Sequence, residues 1–249
     1  MTQEFPNLSR APVHEALVDF RVRSRGNLKA ERLADLADSF VADYPRRDPI
    51  HRFHGQISFD DQDAVSEQPN KELYGQRITS ADGLNVAQLR IDGFTFSRLA
   101  PYESWHGMVN SAWHVWERYF RELRPKGVGR VATRFINVLT IARMRPLDHL
   151  LTAPPLLPPG LPATCSAFLF RYVTEATDGI ASTVSLATES GSHPESVGLV
   201  LDIDCYANRE FSVKDGDMLE IKETLERLRE RKNTIFFRSI RPEILEDWR

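Results

Sequence analysis

Two aspartates stand one residue apart in an otherwise apolar stretch, Leu199-Val200-Leu201-Asp202-Ile203-Asp204. In an extended strand alternate side chains share a face, so both carboxylates point the same way. Such a pair offers hard oxygen ligands for Mg²⁺ or Mn²⁺. A metal site needs a fuller ligand set, and the sequence nominates no third ligand, so no metal is expected. The same two acids can instead receive arginines in bidentate pairs across a sheet. Arg134 and Arg171 lie in other strand-like stretches and are the expected donors. A second set, Glu15, Asp19 and Arg21, recurs at two-residue steps. It reads either as a polar site on a sheet surface or as a wet face with one cross-strand ion pair. The second reading is preferred, because antiparallel sheets commonly keep one face solvated. Arg134 and Asn137 interrupt a third apolar stretch and project to opposite sides. A polar group in a sheet needs a partner to stay buried. A carboxylate is expected for Arg134, and neighbouring backbone for Asn137. The candidate polar cluster is therefore Glu15, Asp19, Arg21, Arg134, Asn137, Asp202 and Asp204.

Other reactive residues point less far. The seven histidines fall in no HExxH or HxH pattern. His51 and His54 sit in the most basic run, Tyr44 to Gly55, beside Arg46, Arg47 and Arg52. Such a cluster could contact phosphate, but an exposed connection is the preferred reading in an acidic chain. Cys165 and Cys205 lie in strand-like stretches without a Cys or His neighbour and read as two buried thiols. No phosphate loop, dinucleotide fingerprint or G-x-S-x-G elbow is present. No cofactor is called for, and nothing nominates a nucleophile.

The elements that must position these residues follow from periodicity. Residues 12–23 alternate as a strand, and 33–44 carry a helical stripe ended by Pro45. A weak strand over 51–59 precedes a polar stretch at 60–70 that reads as a loop. Residues 73–79 and 86–99 are expected to pair as a hairpin across Ala81-Asp82-Gly83. Trp105, Met108, Ala112, Trp116, Tyr119 and Leu123 then make a broad helical face, with Ser104 as its cap. Trp113 lies off that stripe. A long strand spans 128–141, a short helical turn 147–151, and three strands 167–175, 182–188 and 197–206. A last helix is expected from Asp217, capped by that residue and Glu220. The tail carries Phe236, Phe237, Ile240, Leu245 and Trp248. These form the candidate interface: the segment either docks back or binds a partner.

The order reads β-α-β-β-β-α twice, over 1–126 and 127–249. The expected fold is α+β, with antiparallel sheets, long helices packed on one face, and two pseudo-repeated β-α-β-β-β-α halves in one continuous unit.

Three motifs in this order resemble a sporadically distributed prokaryotic family of similar length and unknown function. Pro12, Glu15, Ala16 and Arg21 fit a P-x-x-E-A-x-x-x-x-R strand. Arg134, Ile136 and Asn137 fit R-x-I-N after Pro125-Lys126-Gly127, and residues 201–204 read LDID. The chain departs at Phe135, where the family usually has Tyr, and at Val138, where Arg is common. The resemblance covers nearly the whole chain. It implies an architecture and brings no activity with it.

Composition bounds the function. The chain has 249 residues, 27% of them charged, and a net charge of -3. That balance argues against a dedicated nucleic-acid binder. The first ten residues lack the apolar core of a signal peptide. No apolar run reaches the ~20 residues that span a bilayer, so a cytoplasmic location and no membrane partner are expected. Two functions remain. One is a non-catalytic binding or accessory subunit whose partner is another protein, with a homodimer as a further option. The other is an enzyme or ligand-binding protein with an acidic and arginine-lined site between the halves.

Overall fold

The computed structural model describes residues 5–24, 31–54, 57–60, 63–66, 70–142, 146–156, 158, 160, 167–190, 196–213 and 218–249. The first strand, β1 (Val13–Arg23), sends Ala16, Val18, Phe20 and Val22 into the core and Glu15, Leu17, Asp19 and Arg21 to the other side. After it come α1 (Glu31–Asp38), β2 (Arg46–His54), β3 (Ile57–Asp60), β4 (Asp63–Ser66), β5 (Asn70–Thr79), β6 (Asn85–Arg90), β7 (Gly93–Leu99) and α2 (Trp105–Leu123). The second half holds β8 (Gly127–Ala142), a short 3-10 turn at Leu147–His149, β9 (Leu169–Glu175), β10 (Ala181–Ser190), β11 (Ser196–Ala207), α3 (Leu219–Ser239) and α4 (Pro242–Glu246).

Nine strands make one antiparallel sheet in the order β2-β5-β6-β7-β1-β8-β11-β10-β9, and β3 pairs only with β4. This overturns the expectation of antiparallel sheets with long helices packed on one face in two pseudo-repeated halves. Among the described residues one nine-stranded sheet runs through both halves, with β3–β4 as a separate pair, and strand outweighs helix. The reason lies in β1 and β8, which pair with each other from residue 13 to residue 23 of β1. Periodicity tells which side chains share a face but not which strands are neighbours. The junction where a cleft was expected is a hydrogen-bonded strand pair.

Three local expectations also shift. The stretch 86–99 is two strands, because Ile91-Asp92 turns the chain and β6 pairs with β7. β2 starts at Arg46, earlier than expected. Part of the 60–70 stretch, read as a loop, is strand β4. Asp217 and Cys165 lie outside the described residues.

All three longer helices meet the same side of the sheet. Phe20 packs edge-on against Trp116 at 4.7 Å, and Phe94 lies 5.8 Å from Tyr119. α3 packs on β8 and β11, and α1 on β5 and β6. Ser104 caps α2 as expected, its hydroxyl accepting from the Gly107 N–H at 3.1 Å. Burying these faces at about 25 cal/mol per Å² is the main force holding the helices to the sheet. None of the described helices packs on the opposite face, which carries the acids and arginines singled out above.

Candidate functional site

On that uncovered face Asp19 is the hub, although it is only 6% exposed. Its strand neighbours are Thr95 on β7 and Ala132 on β8. The small alanine leaves room for a long side chain to cross above it. Asp19 Oδ2 accepts from Thr95 Oγ1 at 2.7 Å and from Arg90 Nη2 at 3.0 Å. Oδ1 accepts from Arg130 Nη1 at 2.9 Å and has Arg21 Nε at 3.3 Å. Arg90 is itself buried and donates further to Thr95 and Gln88. Gly93 helps to make space for it: a Cβ there would sit 2.7 Å from the Phe20 carbonyl oxygen and 3.3 Å from an Arg90 Nη.

The network continues across β8 to β11. Arg130 Nη2 donates to Asp204 Oδ2 at 3.0 Å, and the guanidinium lies over the Tyr206 ring at 4.8 Å. Arg134 grips Asp202 with two bonds, Nε to Oδ1 at 2.7 Å and Nη2 to Oδ2 at 2.6 Å. That bidentate bond, with the charges of Asp204 and Glu15 behind it, holds Arg134 even more firmly protonated than usual. Asp204 moves the other way. Burial raises its carboxyl above the usual range, against the pull of Arg130 and Arg134.

At the other end Asp92 faces three arginines at longer range: Arg21 at 3.6 Å, Arg52 at 3.7 Å and Arg90 Nε at 3.7 Å. Arg90 Nε and Asp92 Oδ1 are buried without a hydrogen-bond partner. They attract each other from just beyond bonding distance. Arg52 also lies over the Tyr74 ring at 3.8 Å. Arg46 donates to the Ser80 carbonyl at 2.9 Å, and Arg47 pairs with Asp38. The basic run from Tyr44 is thus engaged within the chain.

The sequence-derived cluster is therefore brought together only in part. Asp19, Arg21, Asp202, Asp204, Arg134 and Glu15 share one face. Asn137 does not. It points into the helix side, where its Nδ2 donates to the Leu201 carbonyl at 2.9 Å beside an irregularity in the β1–β8 register. Arg134 does pair with Asp202, whereas Arg171 joins neither acid. Sequence reasoning missed Arg90, Thr95, Arg130 and Tyr206. Arg130 was within reach of it, since it shares a strand face with Arg134 by period two. Arg90 carried no signal, because its role depends on two strand pairings, β6–β7 and β1–β7.

The tail segment folds back. Phe236, Ile240 and Leu245 are buried. Phe237 stacks on Phe5 at 5.1 Å, and the Trp248 carbonyl accepts from the Arg10 N–H at 3.0 Å. Ile240 bridges to Leu151. In this fold Phe236, Ile240 and Leu245 join the core, and Phe237 and Trp248 pack against its rim.

Two further groups complete the chemistry. Cys205 is buried under the helices, and burial pushes its thiol up to about 11. Lys232 on α3, half-buried as a residue, holds its amine 3.8 Å from the centre of the Phe135 ring. Burial brings it down to about 7. A cleft of about 900 Å³ lies elsewhere, between the end of α2 and the start of α3, lined by Trp113, Phe120, Arg121, Arg124 and Lys222. None of the acids of the sheet face reaches it. Among the described residues, no three His, Cys, Asp or Glu side chains gather as a metal site. No protein-family model matches the chain, and no curated protein matches it, so the geometry alone speaks for function.

Proposed function

We propose that the chain is a non-catalytic binding or accessory subunit of a cytoplasmic prokaryotic system, and that its partner is another protein. The observation that carries this is the engagement of its acids. Asp19 accepts from a hydroxyl and two guanidiniums with a third alongside, and Asp202 is bound bidentate by Arg134. A general base needs a free lone pair aimed at a substrate proton. A metal ligand needs its oxygens clear of competing cations. Both oxygens of each carboxylate already accept from a guanidinium, so neither acid is clear of cations, and the site expected between the halves is occupied by the β1–β8 pairing. The described helices include none long and apolar enough to cross a membrane, in keeping with a protein partner in the cytoplasm.

The surface we assign to the partner is the sheet edge at β9. There Leu169 is 73% exposed, Phe170 46%, Tyr172 39% and Val173 53%. An open apolar edge strand is a template for another strand. The test uses affinity-tagged chain and cross-linking in its native host, with Val173→Lys and Asp204→Asn variants. Proteins cross-linked to wild type are expected to be lost with Val173→Lys and kept with Asp204→Asn. A turnover abolished by Asp204→Asn in a chain that stays folded and partner-bound overturns the reading.

A further inference from the structure

The two edges of the sheet are built differently. β2 presents Arg46, Arg47, Asp48, Pro49, His51, Arg52 and His54. Charge and proline on an edge strand discourage pairing. β9 reads Leu169-Phe170-Arg171-Tyr172-Val173-Thr174-Glu175, with every residue exposed. β10 pairs with one side of it, and among the described residues no strand pairs with the other.

Which backbone groups face outward can be read from the pairing. The Thr188 N–H donates to the Phe168 carbonyl at 3.2 Å, and the Ala176 N–H donates to the Ile180 carbonyl at 3.1 Å. Even-numbered residues therefore turn their N–H and C=O toward β10. By the alternation of an antiparallel ladder, Leu169, Arg171, Val173 and Glu175 turn theirs to the open side. Any strand added there must pair with these four.

Charge then selects the strand. Arg171 and Glu175 lie on the same face, and no ion pair joins either to another described residue. Suppose a second β9 approaches antiparallel. Centred on Arg171, the pairing sets arginine against arginine. Centred on Tyr172, it sets Arg171 against Val173 and Leu169 against Glu175. Centred on Val173, it sets Arg171 opposite the partner's Glu175 twice over, with Val173 against Val173 between them. All of these are hydrogen-bonded positions in the outward set. Opposite charges directly across a strand pair stabilise it, and like charges oppose it.

We infer that β9 pairs antiparallel with β9 of a second copy of this chain, centred on Val173, joining two sheets into one of eighteen strands. The inference rests on the reading of β9 as the binding edge: a second copy takes that edge when the other protein is absent, so the two compete for it. A seven-residue edge buries less than a standard interface, so the dimer is expected to form reversibly, with a Kd on the order of micromolar.

Sedimentation velocity on the full chain, from low micromolar to a few hundred micromolar, tests it. Wild type is expected to pass from 28.5 kDa to twice that mass. Arg171→Glu and Glu175→Arg should each weaken the dimer at least ten-fold, by setting like charges opposite. The double variant, Arg171→Glu with Glu175→Arg, should restore it. These positions are exposed, so folding is not at risk, and unchanged circular dichroism verifies that. A wild type that stays monomeric, or a dimer indifferent to the charge swaps, overturns the self-pairing. The binding reading fails separately, if neither a host protein nor a second copy is cross-linked in a Val173-dependent way. A monomer that still captures a partner through Val173 sinks only the self-pairing.

Discussion

The uncovered face of the sheet carries the same ion chemistry in its middle and at one edge, with opposite outcomes. In the middle, β1, β8 and β11 each have a strand on both sides, and Asp19, Asp202 and Asp204 all find guanidiniums on a neighbour. At the β9 edge the sheet has a neighbour on one side only, and Arg171 and Glu175 are left with no ion pair to a described residue. A cross-strand ion pair needs a strand to cross to. The difference teaches that this face neutralises charge by register, and that an unneutralised Arg/Glu pair marks where the register stops.

The largest effect should come from removing the hub. Asp19→Ala leaves Arg90 buried with one acceptor fewer for its charge and releases Arg130 from one of its two acids. Breaking a buried ion pair from one side costs about 3–5 kcal/mol. The same kind of change at the edge, Arg171→Ala, breaks no ion pair to a described residue. It serves as the control and should stay within about 0.5 kcal/mol, as surface changes do. Urea denaturation at low protein concentration, where association contributes nothing to stability, measures both. If the two variants lose equal stability, the contrast between middle and edge is wrong.

Part of this was legible before the fold was known. The alternation in residues 12–23 places Glu15, Asp19 and Arg21 on one face, and the D-x-D spacing does the same for Asp202 and Asp204. Each is a local matter of period two, which any strand obeys. The choice of Arg130 for Asp204 and of Arg90 for Asp19 depends on strand order and register, which arise from the β1–β8 and β6–β7 pairings. The tail shows the same limit. The apolar character of Phe236, Ile240 and Leu245 was plain, but whether it would meet the body or a partner depends on Leu150 and Leu151, some ninety residues earlier. Sequence-local patterns gave the faces, and non-local contacts decided who met whom.

The helix side of the same central strands offers a sharper test, because a cation is held there without an acid. Among the described residues no carboxylate pairs with Lys232, whose amine rests on Phe135. Its ammonium falls from 10.5 to about 7, through burial first and Arg229 second. Above pH 7 the folded chain therefore releases a proton that the unfolded chain keeps until about 10.5. The unfolded state binds more protons in that window, so stability rises with pH. The limit is about 1.4 kcal/mol per pH unit for one proton. Cys205 sets the upper bound: raised from 9.0 to about 11, its contribution falls above pH 9 and cancels the rise from Lys232 up to about 10.5. Wild type should gain stability between pH 7 and 9, and Lys232→Met should flatten that rise. A rise that survives the substitution would mean another group is responsible.

The smallest effect is expected where the middle of the sheet comes closest to resembling the edge. Arg134 holds Asp202 with good bidentate geometry, yet its side chain is 43% exposed. Solvent screens the attraction, and ordering two side chains costs entropy, so exposed pairs contribute about 0.2–1 kcal/mol. A double-mutant cycle on Arg134→Met and Asp202→Asn should return a coupling in that range, and one that shrinks in high salt. This pair is also the best internal gauge for the proposed contact between Arg171 and the partner's Glu175, which joins the same guanidinium and carboxylate groups. A coupling near zero would leave the charge match at β9 to choose the register without adding affinity. A coupling above the surface range would place Arg134–Asp202 with the Asp19 hub, and the boundary between neutralised middle and open edge would then lie at β9 itself.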